Sequence, residues 1–119
     1  MIVLFGLKNC DSCRKARKWL EAEGLAHRFV DVRTDGLAPE TLDRWIEAIS
    51  IEALLNRRGT TWRGLSDSDR ADLDEEKARA LMLAHPALIR RPVIDQDGHI
   101  TVGFDLAIQA RLREAGSSR

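Results

Sequence analysis

Ile2-Val3-Leu4-Phe5-Gly6-Leu7-Lys8-Asn9-Cys10-Asp11-Ser12-Cys13-Arg14-Lys15 is the stretch from which the rest of the chain can be read. Ile2 to Phe5 is an apolar run of the length of one buried strand. Gly6 to Asn9 reads as a polar loop, and a helical pattern begins at Arg14. A C-x-x-C pair, Cys10 and Cys13, therefore sits where a strand hands over to a helix, a placement that reads as a redox motif. The physical reason is electrostatic: a helix's first turn offers unpaired N–H groups and the positive end of its dipole, and both stabilise a thiolate. Lys8, Arg14 and Lys15 add positive charge close by. Cys10, just ahead of the helix, is the expected nucleophile, and Cys13, in the first turn, the more covered thiol. The competing reading is that the two cysteines are small apolar fillers on a helix. Structural zinc is excluded as an expectation, because it needs about four ligands; there are two cysteines, and His27, His85 and His99 have no ligand spacing around them.

Working outward, Ala16, Trp19, Leu20 and Leu25 mark the buried face of the helix, with Gly24 as its stop. Ala26 to Val32 suits a second strand. Strand, helix and strand at this length form a βαβ unit with parallel strands. Asp35-Gly36 is a turn, Pro39 opens a helix carrying Leu42, Trp45, Ile46 and Ile49, and Ser50 breaks it and caps a short one from Ile51 to Leu55. Asn56 to Arg63 is a polar, basic stretch with one tryptophan, read either as a solvated loop or as one that contacts an anion or substrate. Ser66 to Asp69 is rich in helix-capping residues, and Leu73, Ala80, Leu81 and Ala84 give the next segment an apolar stripe. The carboxylates of Asp69 to Glu76 are a dipole-matched helix start, not a metal cage.

His85-Pro86 closes the helical stretch, and Pro92 opens a strand that continues through Val93-Ile94-Asp95. Gln96-Asp97-Gly98 turns the chain, and His99 to Val102 returns as a hairpin. Phe104, Ala107, Ile108, Arg111 and Leu112 mark a last helix, and Gly116 to Arg119 reads as a disordered tail. The fold class is α/β: a thioredoxin-like βαβ–ββα four-stranded mixed sheet with a helical insertion over about 37–86, in a single domain over 1–115. In such a sheet ligands bind at the carboxyl ends of the parallel strands, where Cys10 must lie.

The chain has 119 residues with 19 positive and 19 negative side chains, so charge alone does not drive binding to nucleic acid or to a membrane surface. It has no run of about 18 apolar residues, hence no expected membrane span, and its N-terminus is a strand rather than a signal peptide. A lone pair of close cysteines fits a reducing cytoplasm. With no exposed heptad or long edge strand, a monomer is expected.

Three blocks together, Cys10-x-x-Cys13-Arg14-Lys15-Ala16-Arg17, His85-Pro86-x-Leu88-Ile89-x-Arg91-Pro92 and Val102-Gly103-Phe104, resemble the ArsC/Spx family over nearly the whole chain. Leu55 to Arg63 resembles its YffB-type branch. The resemblance implies that Cys10 is the catalytic cysteine and that Arg91 holds the substrate oxyanion ahead of a cis proline, Pro92; from composition alone a cis bond is the minority state, about 5–6% of such bonds. It also implies glutathione as co-substrate; no metal is expected. Cys13 is the expected resolving thiol, because residues three apart at a helix start can form a disulfide, and the substrate or glutathione site is expected to be lined by Lys8, Asn9, Asn56, Arg57, Arg58, Thr60, Pro92 and Gly103. In arsenate reductases of the family glutathione releases arsenite and a glutaredoxin resets the enzyme. The positions matching two further oxyanion arginines are Asn56 and Gly103 here, which implies weak arsenate binding, because bidentate arginines are what grip a tetrahedral oxyanion. The implied activity is a glutathione-dependent thiol reductase. The alternatives are a glutaredoxin-coupled arsenate reductase and, because Spx regulators carry the C-x-x-C, a redox-sensing regulator that binds RNA polymerase.

Overall fold

A computed structural model describes residues 1–117 and divides them into two compact units. The first is built from Met1–Val32 and from Arg91 onward, the second from Arg33–Arg90. The insertion expected over 37–86 is thus wider at both ends. Its far end reaches Arg90 because Ile89 pairs with Leu55 in an antiparallel bridge and the Arg90 N–H donates to the Leu54 carbonyl at 2.7 Å.

The first unit holds the sheet. Strands β1 (Ile2–Gly6), β2 (His27–Asp31), β3 (Val93–Gln96) and β4 (His99–Val102) lie in the order β2-β1-β3-β4. β1 and β2 are parallel, from Ile2 opposite His27 to Gly6 opposite Asp31, while β3 runs antiparallel to both β1 and β4. This is the mixed thioredoxin-like sheet expected. Helix α1 (Asp11–Ala22) crosses from β1 to β2. It ends because Gly24 takes φ +67°, which glycine adopts at no steric cost. The Gly24 N–H then donates to Glu21 and the Leu25 N–H to Leu20, at 3.1 and 3.0 Å, a Schellman motif that satisfies the last carbonyls. Asp97 and Gly98, at φ +51° and +92°, form the two-residue hairpin turn whose twist suits right-twisted strands.

The core of this unit is Ile2, Leu4, Ala16, Leu20, Ile94 and Leu112, joined by Trp19, Leu25, Phe29, Phe104 and Ile108. Each fully buried leucine contributes about 1.5–3 kcal/mol by leaving water. Trp19 is half-buried and meets the Phe104 ring edge-on, centroids 5.4 Å apart. The last helix, α7, spans Leu106–Ser117; Asp105 caps it by accepting the Ile108 N–H at 2.9 Å. Of its expected stripe Leu112 is buried, but Ala107 and Arg111 are exposed. Its backbone stays helical through Gly116 and Ser117, the first half of the expected tail, because each further helical residue adds a hydrogen bond. Ser118 and Arg119 lie outside the described residues.

The second unit is helical: α2 (Pro39–Ala48), α3 (Ile51–Leu54), α4 (Thr60–Arg63), α5 (Asp67–Arg70), α6 (Glu75–Ala84) and a 3-10 turn at Pro86–Leu88. Leu42, Trp45, Leu54, Leu55, Met82, Leu88 and Ile89 are its largest buried side chains. Ser50 breaks α2 from α3 as expected, its hydroxyl accepting the Ala53 N–H. Two expectations are corrected. The buried face of α6 is Ala78, Leu81 and Met82, whereas Ala80 and Ala84 are exposed; small alanines give little driving force, so the two large side chains set the helix's rotation. Asn56–Arg63 is also not loop throughout, since α4 begins at Thr60, right after an extended Gly59.

Candidate active site

β1 ends at Gly6, three residues carry the chain over the carboxyl end of the parallel pair, and Cys10 becomes the N-cap of α1 with extended backbone, φ −129° and ψ 122°. Its carbonyl accepts the Arg14 N–H at 2.9 Å, the first bond of the helix. Its sulfur is half-buried, free of any disulfide, and 3.5 Å from the Ser12 hydroxyl. Burial by itself pushes this thiol up, but the Ser12 hydroxyl, the Cys13 N–H, the Arg91 side chain and the Cys13 thiol, as donors near the sulfur, outweigh it, and the pKa falls to about 7. The sulfur makes no closed side-chain cap, so the Cys13 N–H acts as a near donor to developing charge rather than as a formed cap bond.

Cys13 is the opposite case. It is fully buried, and loss of water pushes its pKa up to about 12, against the pull of the Leu7 N–H. Two cysteines three residues apart are thus set far apart in acidity: one is partly ionised at neutral pH and the other is a neutral hydrogen-bond donor. Such a split assigns different roles to neighbouring groups.

The structure brings Cys10, Cys13 and Arg91 together in the first unit. The Arg91–Pro92 bond is cis, as the family resemblance implied. Pro92 is buried, and its carbonyl accepts the Gly103 N–H at 2.8 Å, with Gly103 at φ +93°. Lys8 and Asn9 lie on the exposed loop ahead of Cys10. Arg14 is ion-paired with Asp11 one helical turn away, and Lys8 contributes its backbone N–H, which donates to Asp31 Oδ2 at 2.9 Å.

Asn56, Arg57, Arg58 and Thr60 belong to the second unit. There the Asn56 side chain accepts the Arg58 N–H at 3.0 Å, the Asn56 N–H donates to the Leu88 carbonyl at 2.8 Å, and the Arg57 guanidinium stands 5.7 Å above the Trp62 ring. These bonds give Asn56–Gly59 a fixed shape. Thr60 is the exposed first residue of α4.

Two residues of the site escape a reading of the sequence. Gly6 is one: a Cβ there would stand 2.3 Å from Cys13 Sγ, so only glycine lets the buried sulfur pack against β1. Asp31, at 4% exposure, is the other. The signal for it was an acidic residue breaking the apolar Phe29-Val30-Asp31-Val32 run. Among the described residues no group of three or more His, Cys, Asp and Glu is placed to hold a metal ion, and no helix is long and apolar enough to cross a membrane.

Residues 5–110 match the model of the ArsC family. The chain belongs to the ArsC family. An uncharacterised protein of Haemophilus influenzae is 39% identical over 105 residues, 88% of this chain and 92% of that protein. The solved structure of a YFFB protein is 43% identical and superposes with a TM-score of 0.89, covering 94% of this chain and 98% of that one. The global transcriptional regulator Spx of Listeria innocua is 27% identical over 113 residues, 88% of this chain and 81% of that protein. This ArsC-family chain is thus similar in sequence both to proteins of the YFFB kind and to a transcriptional regulator.

Proposed function

We propose that this ArsC-family chain is a glutathione-dependent thiol reductase of a reducing cytoplasm, with Cys10 as its thiolate nucleophile. The observation that carries the reading is the Cys10 sulfur at the start of α1, drawn down to a pKa of about 7 by Ser12, Cys13 and Arg91 against the cost of burial. A thiol with a pKa near the ambient pH combines a large thiolate fraction with retained nucleophilicity.

The Cys10 thiolate attacks the glutathione sulfur of a mixed disulfide. A bond forms between the two sulfurs, the old disulfide breaks, and the product leaves as a thiolate that takes up a proton. A second glutathione, as thiolate, attacks the glutathione sulfur now bound to Cys10. Oxidised glutathione forms, and Cys10 returns as thiolate. Arg91 holds a carboxylate of the tripeptide and, by donating to Cys10, also favours its charged form. Cys13, expected to resolve the intermediate because residues three apart at a helix start can form a disulfide, is assigned a different part. Burial, with the Cys10 thiolate beside it, pushes its pKa up to about 12, so in the resting protein it donates a hydrogen bond to that thiolate; in the mixed disulfide, burial keeps it a poor attacking thiol and the second glutathione does the resolving.

The reading is tested by reduction of a small glutathione mixed disulfide with glutathione as donor. Wild type is expected to turn over, and Cys13→Ser, which keeps a hydroxyl donor, to retain activity within about tenfold, since a single hydrogen bond is worth only about 0.5–1.5 kcal/mol. Loss of all turnover in Cys13→Ser would return the resolving role to Cys13. The 27% identity to Spx supports a second reading, a redox-sensing regulator that binds RNA polymerase. A wild-type chain that retains RNA polymerase and shows no turnover would favour it.

A further inference from the structure

We propose that Asp31 is a positioning residue, whose buried carboxylate fixes the Leu7–Asn9 loop and so holds Cys10 at the start of α1. The proposal rests on the reading of Cys10 as the thiolate nucleophile. Asp31 is the one buried side chain among the described residues that carries a charged group, at 4% exposure. A carboxylate left unpartnered in such a place costs several kcal/mol, so its presence needs a structural return. That return lies at the end of β1. The parallel pairing stops with Gly6 opposite Asp31. The Gly6 carbonyl still accepts the Val32 N–H, at 2.9 Å. Two residues on, the Lys8 N–H is past the ladder and would be an orphan donor; Asp31 Oδ2 accepts it at 2.9 Å.

One carboxylate oxygen thus stands in for the next rung of the sheet and pins the chain two residues before Cys10. The placement matters because Cys10 has no closed cap of its own. Its sulfur stays near Ser12, the Cys13 N–H and Arg91 only while the incoming loop is held. For the Lys8 N–H the role needs an acceptor oxygen, which the carbonyl of an amide also supplies. Asparagine should therefore serve nearly as well as aspartate.

The test is the pH dependence of Cys10 alkylation by iodoacetamide, in a Cys13→Ser background, with Asp31 as wild type, Asn and Ala. Asp31→Asn is expected to keep the wild-type inflection near pH 7. Asp31→Ala is expected to move it up by about one pH unit toward the ordinary value of about 8.5, cutting the thiolate at pH 7 about fivefold. Leu112→Ala in the same background, a core deletion away from the loop, should lower the melting temperature and leave the inflection in place. If Asp31→Ala does not fold, Asp31→Glu, whose longer arm displaces the acceptor, should show a smaller rise. An unchanged inflection in Asp31→Ala (or in Asp31→Glu where the alanine variant does not fold), a rise in Asp31→Asn as large as in Asp31→Ala, or an equal rise in Leu112→Ala, would overturn the positioning role alone. A wild-type inflection near 8.5 would overturn the thiolate reading and this role with it.

Discussion

Cys10→Ser is expected to abolish glutathione-dependent thiol reduction, lowering turnover by roughly three orders of magnitude or more, to the rate of uncatalysed exchange. The first step makes a sulfur–sulfur bond to Cys10, and a serine oxygen can neither ionise at neutral pH nor form that bond. The substitution separates chemistry from folding unusually well. Residue 10 is the N-cap of α1 and makes no closed side-chain cap as cysteine. Serine is among the best N-cap residues, so the variant should be as stable as wild type or more stable by about 0.5–1 kcal/mol. A melting curve alongside the assay checks this. Retained turnover in a folded Cys10→Ser protein would end the mechanism.

The second large effect is on stability and falls at Gly6. A methyl group added there would stand 2.3 Å from Cys13 Sγ and 3.4 Å from Cys13 Cβ. Cys13 cannot retreat easily, because it sits in the first turn of α1 and is fully buried. Gly6→Ala is therefore expected to destabilise the protein by about 1–3 kcal/mol, the usual cost of overpacking, read as a fall in the denaturant midpoint. The clash has one named partner, so it can be relieved. In a Cys13→Ala background the sulfur is gone, and Gly6→Ala should cost less than about 1 kcal/mol, because replacing a strand glycine otherwise gains about 0.5–1 kcal/mol. Additive effects of the two substitutions would show that Gly6 is required for some other reason.

What the sequence disclosed and what it withheld follow physical lines. β1, the C-x-x-C at the helix start, the stop at Gly24 and the Asp97-Gly98 hairpin were legible because each depends on neighbours within a few residues, through capping, turn geometry and side-chain period. The mixed sheet followed from their order. The phase of α6 was misread because alanines look apolar in a pattern but do not decide which face is buried; Leu81 and Met82 do. The surroundings of Cys10 were legible only in part. Lys8 and Arg14 are close in sequence, yet Arg14 turns to Asp11, while Arg91, about 80 residues away in sequence, was placed beside the thiol by family resemblance and not by any local pattern. Gly6 and Asp31 escaped because their roles exist only once β1, β2 and α1 meet: one makes room for a sulfur and the other accepts an N–H where the sheet ends.

The most direct test of the central claim is a pH titration of the ultraviolet thiolate absorbance of the Cys13→Ser protein. Cys10 is then the one cysteine in the chain, and with no tyrosine in the sequence no phenolate absorbs alongside it. An inflection near pH 7 is expected from the hydrogen bonds that Ser12, residue 13 and Arg91 direct at the sulfur. An inflection near the ordinary value of about 8.5 would mean that the start of α1 does not activate this thiol, and would contradict the reductase reading.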